Sequence, residues 1–178
     1  LIIPGLVDLH LHAPQYAFRG IGMDMELLDW LETHVFPEEA KYKDLEYARK
    51  AYSIFASDLA ASATTRACIF ATIHRPATLL LMELLEETRG VKALVGKVNM
   101  DRNSPAFLCE ESAQRSLEET ALWIEQGRGR FQNVGMVLTP RFTPSCTAPL
   151  MKGLGRLQKE TGLPVQSHLS ENLSEIEW

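Results

Sequence analysis

Apolar positions along the chain alternate between short runs of strand length and longer stretches with helical spacing. The first run, Leu6 to Leu11, carries Asp8, His10 and His12 at alternate positions, and a Gly- and Pro-containing loop follows from Ala13 to Asp24. Met25 to Val35 reads as a helix, with Leu27, Leu28 and Leu31 on one face, and Pro37 is expected to break it. Asp44 is placed to cap a long helix, Leu45 to Ala61, whose Leu45, Ala48, Tyr52, Phe55 and Leu59 share a face. Thr65 to Phe70 is the next strand. A helix starting near Pro76 runs to Thr88, with Gly90 placed to end it. Val91 to Val98 is a third strand, and Ser112 to Gln126 a helix closed by Gly127 and Gly129. Val134 to Leu138 is a fourth strand, Ala148 to Thr161 a helix with a stop at Gly162, and Pro164 to Ser167 a fifth strand ending at His168.

This β-α alternation predicts a parallel sheet with helices outside it, because the connections are long enough for parallel crossovers. Two closures remain, an open doubly wound sheet and an eight-stranded barrel. No Gly-x-Gly-x-x-Gly follows the first strand and there is no P-loop, so nucleotide-cofactor versions of the open sheet lose weight.

Composition narrows the function classes. Of the 178 residues, 46% are hydrophobic and 23% charged, a globular balance that argues against disorder. Lys plus Arg is 18 and Asp plus Glu 23, so the formal net charge is −5, which gives no global reason to bind nucleic acid or an anionic membrane. No apolar run approaches the roughly 18 residues that cross a bilayer. Three scattered cysteines, Cys68, Cys109 and Cys146, form no disulfide framework, and a cytoplasmic setting is expected. The chain opens Leu1-Ile2-Ile3-Pro4 without a Met and stops at Trp178 inside an acidic, helix-like run. These ends leave open that it is a piece of something longer.

The chemistry concentrates at predicted strand ends. Residues two apart in a strand point to one face, so His10 and His12 would aim two imidazoles at one point, as metal ligands do. A His-x-His alone is more often a surface or core pair than a metal site. His168 also sits where a strand gives way to a polar turn, and in a barrel it would face the first strand across the mouth. Glu171, three residues on, would stand beside it and could shuttle protons, although Ser170, Glu171, Glu175 and Glu177 also fit a helix start with solvated acids. Arg141 and Phe142 follow the fourth strand and offer a fork of donors and an aromatic face to a planar substrate. Gln15 has one donor side and one acceptor side, which suits the edge of a base and equally an ordinary loop. His34 reads as structural, and His74 as a neighbour of the mouth rather than a ligand. Cys146 reads as a structural thiol and Cys68 as a core residue.

Pro4-Gly5-Leu6-Val7-Asp8-Leu9-His10-Leu11-His12, taken with Gln166-Ser167-His168-Leu169-Ser170-Glu171-Asn172, resembles the amidohydrolase superfamily. The segments His12-Ala13-Pro14-Gln15-Tyr16, Leu28-Asp29-Trp30-Leu31-Glu32, Phe36-Pro37-Glu38-Glu39, Phe70-Ala71-Thr72-Ile73-His74, Gly96-Lys97-Val98-Asn99-Met100-Asp101 and Thr139-Pro140-Arg141-Phe142 extend it almost end to end, toward the purine aminohydrolases of that superfamily. The resemblance implies a TIM-like (β/α)8 metal-dependent hydrolase barrel. About the first five β/α units are expected here, with 1–178 the N-terminal portion of a single barrel domain. It implies one zinc, held by His10, His12 and His168, with Glu171 as the acid and base. Gln15 and Arg141 would grip the purine, with Phe142 beside them. The implied reaction converts guanine and water to xanthine and ammonia. Thr139 falls where two-metal relatives carry a carboxylated lysine, in keeping with one metal. The family also uses a His ending the sixth strand, an Asp ending the eighth and a small β-sandwich domain; none is found here. A chain of five strands would then be inactive or nearly so. Homodimers are common in the family. Another heterocycle as substrate (a triazine, pterin or adenine derivative) and a non-catalytic barrel are the alternatives.

Overall fold

A computed structural model describes residues 2–177, so Leu1 and Trp178 of the 1–178 span lie outside the described residues. The chain opens with β1 (Leu6–His12) and a 3-10 turn, Pro14–Phe18. α1 (Leu27–Trp30) passes through a π turn, Leu31–Val35, into α2 (Phe36–Ala40), and α3 (Leu45–Ala61) follows. Next come β2 (Thr64–Phe70), α4 (Arg75–Thr88), β3 (Lys92–Gly96), β4 (Val98–Asn99) and α5 (Ala113–Gly127). The last part comprises β5 (Val134–Met136), β6 (Thr139–Pro140), α6 (Ala148–Thr161) and α7 (Leu173–Glu177). The helix starts have local causes: the side chains of Asp44, Ser112 and Thr147 accept N–H groups in the first turns of α3, α5 and α6.

All strand pairs are parallel, in the order β1-β2-β3-β5, with β4 and β6 paired beyond them. Two single bridges, Leu138↔Val165 and Phe142↔His168, add the last extended segment beside β5 and β6. Each new strand lies next to its predecessor in sequence, without the reversal of order that defines a doubly wound sheet. The two ends of this arc approach each other: His12 Nε2 lies 2.9 Å from His168 Nε2. The sheet therefore curls as part of a (β/α) barrel. Its convex face packs Ala67, Ile69, Ala93 and Val95 against Phe55, Leu81, Leu85 and Trp123 of the helices. Its concave face leaves Val7, Leu9, Leu94 and Val165 exposed. Among the described residues no helix is long and apolar enough to cross a membrane.

β1 does not alternate simply. Asp8 pairs with Ala67 and Leu11 with Ile69, so β1 uses three steps where β2 uses two. This is a bulge, and one extra residue exchanges the two faces of a strand. Before it, Val7 lies opposite Arg66 on the concave side; after it, His12 lies opposite Phe70 on that same side. Asp8 consequently does not share the histidines' register. Its carboxylate instead accepts the His10 N–H at 3.1 Å, within the bulge.

Four expectations are corrected. Pro37 does not end a helix. The Phe36 N–H reaches back five residues to the Leu31 carbonyl, and this widened turn lets the chain enter α2 with the proline in its first turn, where no N–H is needed. The left-handed residue after α4 is Arg89 (φ 54°), not Gly90. Gly90 is small for another reason: a Cβ there would sit 2.6 Å from the Ala60 Cβ. The fifth strand is reduced to the two bridges. Cys68 is only half-buried, on the concave side, where its Sγ donates to Gln166 Oε1 at 2.9 Å.

Candidate metal and ligand site

The concave, C-terminal edge of the arc holds a cleft of about 540 Å³. His10, His12, Gln15, Arg141, Phe142, His168 and Glu171 all line it, so the structure brings every predicted site residue to one place. Tyr16, Arg19, Leu27, Trp30 and Leu31 form the opposite wall, supplied by the loop after β1 and by the α1 region.

The three imidazoles form a compact group whose ligand atoms lie within 4.8 Å of one another. Bonds of about 2.0–2.1 Å to one ion require donors gathered on this scale. His168 is buried, and its Nδ1 lies 2.6 Å from the Arg141 carbonyl oxygen. A carbonyl only accepts, so Nδ1 carries the proton and Nε2 presents its lone pair toward His12. Burial, reinforced by the Arg141 charge and the neighbouring rings, holds His12 well below the ordinary histidine range. Burial also brings His168 down to about 4, against the opposing pull of its bond to the Arg141 carbonyl. Both rings are therefore neutral near pH 7, the form that binds a metal. His12 Nδ1 is buried without a hydrogen-bond partner. Phe70, fully buried, stacks on His12 at 4.6 Å between centroids and lies 4.4 Å from His168, so it forms the floor that sets the ring planes. This donor set fits a borderline metal such as zinc. Among the described residues no other group of three His, Cys, Asp or Glu gathers this way.

Glu171 stands at the rim. Its main-chain N–H, and that of the left-handed Ser170, donate to the Glu175 carboxylate at 2.8 and 3.2 Å, which fixes the turn that carries it. Partial burial raises its carboxyl above the ordinary range, with His10 pulling the other way. A carboxyl whose charged form is disfavoured holds a proton more readily, which suits an acid and base.

Arg141 is buried, and its main chain is fixed at both ends. Its N–H donates to the Asn99 carbonyl at 3.1 Å, and its carbonyl accepts from the main chain and the ring of His168. Its guanidinium donates to Glu39 Oε2 at 2.6 Å and lies 5.2 Å from the centre of the Phe36 ring. Glu39 had no assigned role in the sequence reading. The spacing offered a signal: Leu31, Val35 and Glu39 are four apart, and an acid on the apolar face of a helix calls for a buried cation. Phe70 and Glu175 were likewise not singled out, since an aromatic in a strand and an acid in an acidic run look ordinary.

The weaker candidates separate from the cleft. His34 is half-buried on the π turn and does not line it. His74 precedes α4 and lines a different cavity with Lys43, Arg75 and Glu119; burial and the charges of Lys43 and Lys97 lower it to about 4. Cys146 is buried and its Sγ donates to the Asn99 carbonyl at 3.2 Å, in agreement with a structural thiol. Thr139 is fully buried and accepts from Gln166 Nε2 at 3.0 Å.

Comparison with known proteins agrees with this geometry. The Amidohydrolase family model matches residues 1–178. The chain is 44% identical over 178 residues to the guanine deaminase of Dictyostelium discoideum, covering 99% of this chain and 39% of that protein. It is 38% identical over 182 residues to the guanine deaminase of Escherichia coli strain K12, covering 40% of that protein. The solved guanine deaminase from C. acetobutylicum with bound guanine superposes with a TM-score of 0.93 at 49% identity, over 97% of this chain and 41% of that one. A triazine hydrolase variant superposes with a TM-score of 0.77 at 17% identity, a likeness of fold alone. The chain thus spans about two fifths of the length of the relatives it matches.

Proposed function

The chain belongs to the amidohydrolase family, and from that premise we propose that it forms the N-terminal arc of a zinc-dependent aminohydrolase that converts guanine and water to xanthine and ammonia. The observation that supports this most is the convergence of His10, His12, His168, Glu171, Gln15, Arg141 and Phe142 on one cleft. His10, His12 and His168 would hold the metal. Bound there, zinc supplies Lewis-acid activation of water near neutral pH.

The remaining chemistry falls to side chains. Glu171 takes one proton from the attacking water and gives it to a ring nitrogen, then takes the second from the added hydroxyl and gives it to the departing amine. The water oxygen forms a bond to the amino-bearing carbon, the C–N bond breaks, and ammonia takes the proton. Arg141 donates to the carbonyl and adjacent ring nitrogen of the purine, the acceptor pair guanine presents on one edge. Gln15 matches a donor–acceptor edge of the base, and Phe142 bounds its face.

The exposed concave residues Val7, Leu9, Leu94 and Val165 support the further reading that 1–178 is part of one barrel completed by other strands. In the family those strands bring a further His and an Asp to the metal. The 178-residue chain alone would then turn over guanine poorly or not at all. The test is ammonia release by the whole protein from guanine, adenine, a pterin and a triazine. Turnover confined to guanine upholds the proposal. Preference for another heterocycle would replace the substrate, and absent turnover with zinc below one tenth per chain would indicate a non-catalytic barrel.

A further inference from the structure

Arg141 does two separable jobs. Its main chain positions His168, while the residue also lines the cleft. The main chain is fixed by hydrogen bonds to Asn99 and His168, but a long side chain is not fixed by that. What fixes it is Glu39. Both side chains are almost fully buried, at 3% and 1% exposure, with Nη1 and Oε2 2.6 Å apart.

Stability does not explain this pair. Two buried charges lose hydration that their attraction does not reliably restore, and well-packed apolar side chains would serve the fold as well. Glu39 Oε1 also has no hydrogen-bond partner, a further cost to the fold. Glu39 does not line the cleft, so it does not meet a ligand directly. The planar guanidinium has five N–H donors. Glu39 takes one of them, and the Phe36 ring lies nearby at 5.2 Å. The other guanidinium donors have no hydrogen-bond partner among the described residues, and Arg141 lines the cleft.

We propose that Glu39 is the positioning residue for substrate recognition: it anchors the Arg141 guanidinium so that its remaining donors meet a carbonyl-bearing heterocycle. The proposal rests on the purine reading above and adds a specificity device to it. Without Glu39 the guanidinium keeps its charge and loses its orientation. Binding of a ligand with a carbonyl acceptor then weakens most, while a ligand that offers only the ring nitrogen is affected less.

The experiment uses the whole zinc-loaded protein and Glu39→Gln, Glu39→Asp, Arg141→Ala and the Glu39→Gln/Arg141→Ala double variant. Guanine is the substrate. The competing probe is 2-aminopurine, which keeps the amino group and lacks the carbonyl. Loss of one charge-assisted contact predicts a guanine KM about tenfold higher or more in Glu39→Gln. Zinc content should stay at the wild-type level and kcat within about threefold. The inhibition constant of 2-aminopurine, which keeps the ring nitrogen but lacks the carbonyl, should rise clearly less than the guanine KM, and Glu39→Asp should fall between. The double variant should be no worse than Arg141→Ala, since two residues acting as one unit are not additive. An unchanged guanine KM in Glu39→Gln overturns the proposal. So does equal weakening of guanine and 2-aminopurine, which marks a structural role. Wild-type protein that releases no ammonia from guanine overturns the purine reading and this proposal with it, and is told apart because it needs no Glu39 variant.

Discussion

Gly96 ends β3 against β6, and the neighbouring atoms state what an added methyl would cost. A Cβ at this position would lie 1.7 Å from Thr139 Oγ1, 2.8 Å from Thr139 Cβ and 2.8 Å from the Val137 carbonyl oxygen. The first clash could be relieved by turning the Thr139 side chain. That turn would break its hydrogen bond to the Val137 carbonyl at 3.1 Å and the one it accepts from Gln166 Nε2 at 3.0 Å. The other two clashes involve a Cβ and a main-chain oxygen, which move only with the backbone. Gly96→Ala must therefore push the Val137–Thr139 segment away from β3. Overpacking of this kind costs about 1–3 kcal/mol, and the rigid partners place this case at the upper end. Arg141 is two residues further on, so the same shift displaces the carbonyl that orients His168. Gly155 provides the control, since a Cβ there meets nothing within 4 Å inside α6. Gly155→Ala should stabilise by about 0.5–1 kcal/mol, the helical preference of alanine. The assay is the denaturant midpoint of each variant of the whole protein, with guanine KM and zinc content. A Gly96→Ala midpoint equal to wild type, with unchanged KM, would refute the packing argument.

Glu171→Gln keeps the shape of the rim and removes its proton carrier; we expect wild-type zinc content and loss of most turnover, and undiminished turnover measured by ammonia release would remove the assigned role. Burial pushes the Cys146 thiol up to about 11, so it stays protonated through neutral and mildly alkaline pH, while Cys109 is half-buried. Iodoacetamide at pH about 8, close to the ordinary thiol value, should label Cys109 well before Cys146, as read by peptide mass; the reverse order would contradict the buried placement.

The strand and helix order was legible because the apolar spacing, the cap Asp44 and the stop at Gly162 are local signals. α3 and α6 have the ranges read from the sequence, Leu45–Ala61 and Ala148–Thr161. What was not legible depends on contacts between distant segments. The bulge in β1 is a relation of register to β2, and no residue within Asp8–Leu11 announces it. Gly90 looked like a helix stop because its actual constraint, Ala60, lies on another helix. The His pair and His168 stood out by residue type. Glu39 did not, because its meaning depends on a guanidinium 102 positions later in the chain.

The Arg141 carbonyl that holds His168 has a consequence for how such a site can diversify. A hydrogen bond from the main chain is indifferent to the side chain attached to it. Any residue except proline, which lacks the N–H given to Asn99, can stand at 141 and still present that carbonyl. Selection could therefore exchange the group that faces the ligand without dismantling the ring tautomer beside it. On the proposed reading, substrate choice and the orientation of His168 share one residue, yet the backbone would let them evolve as separate characters.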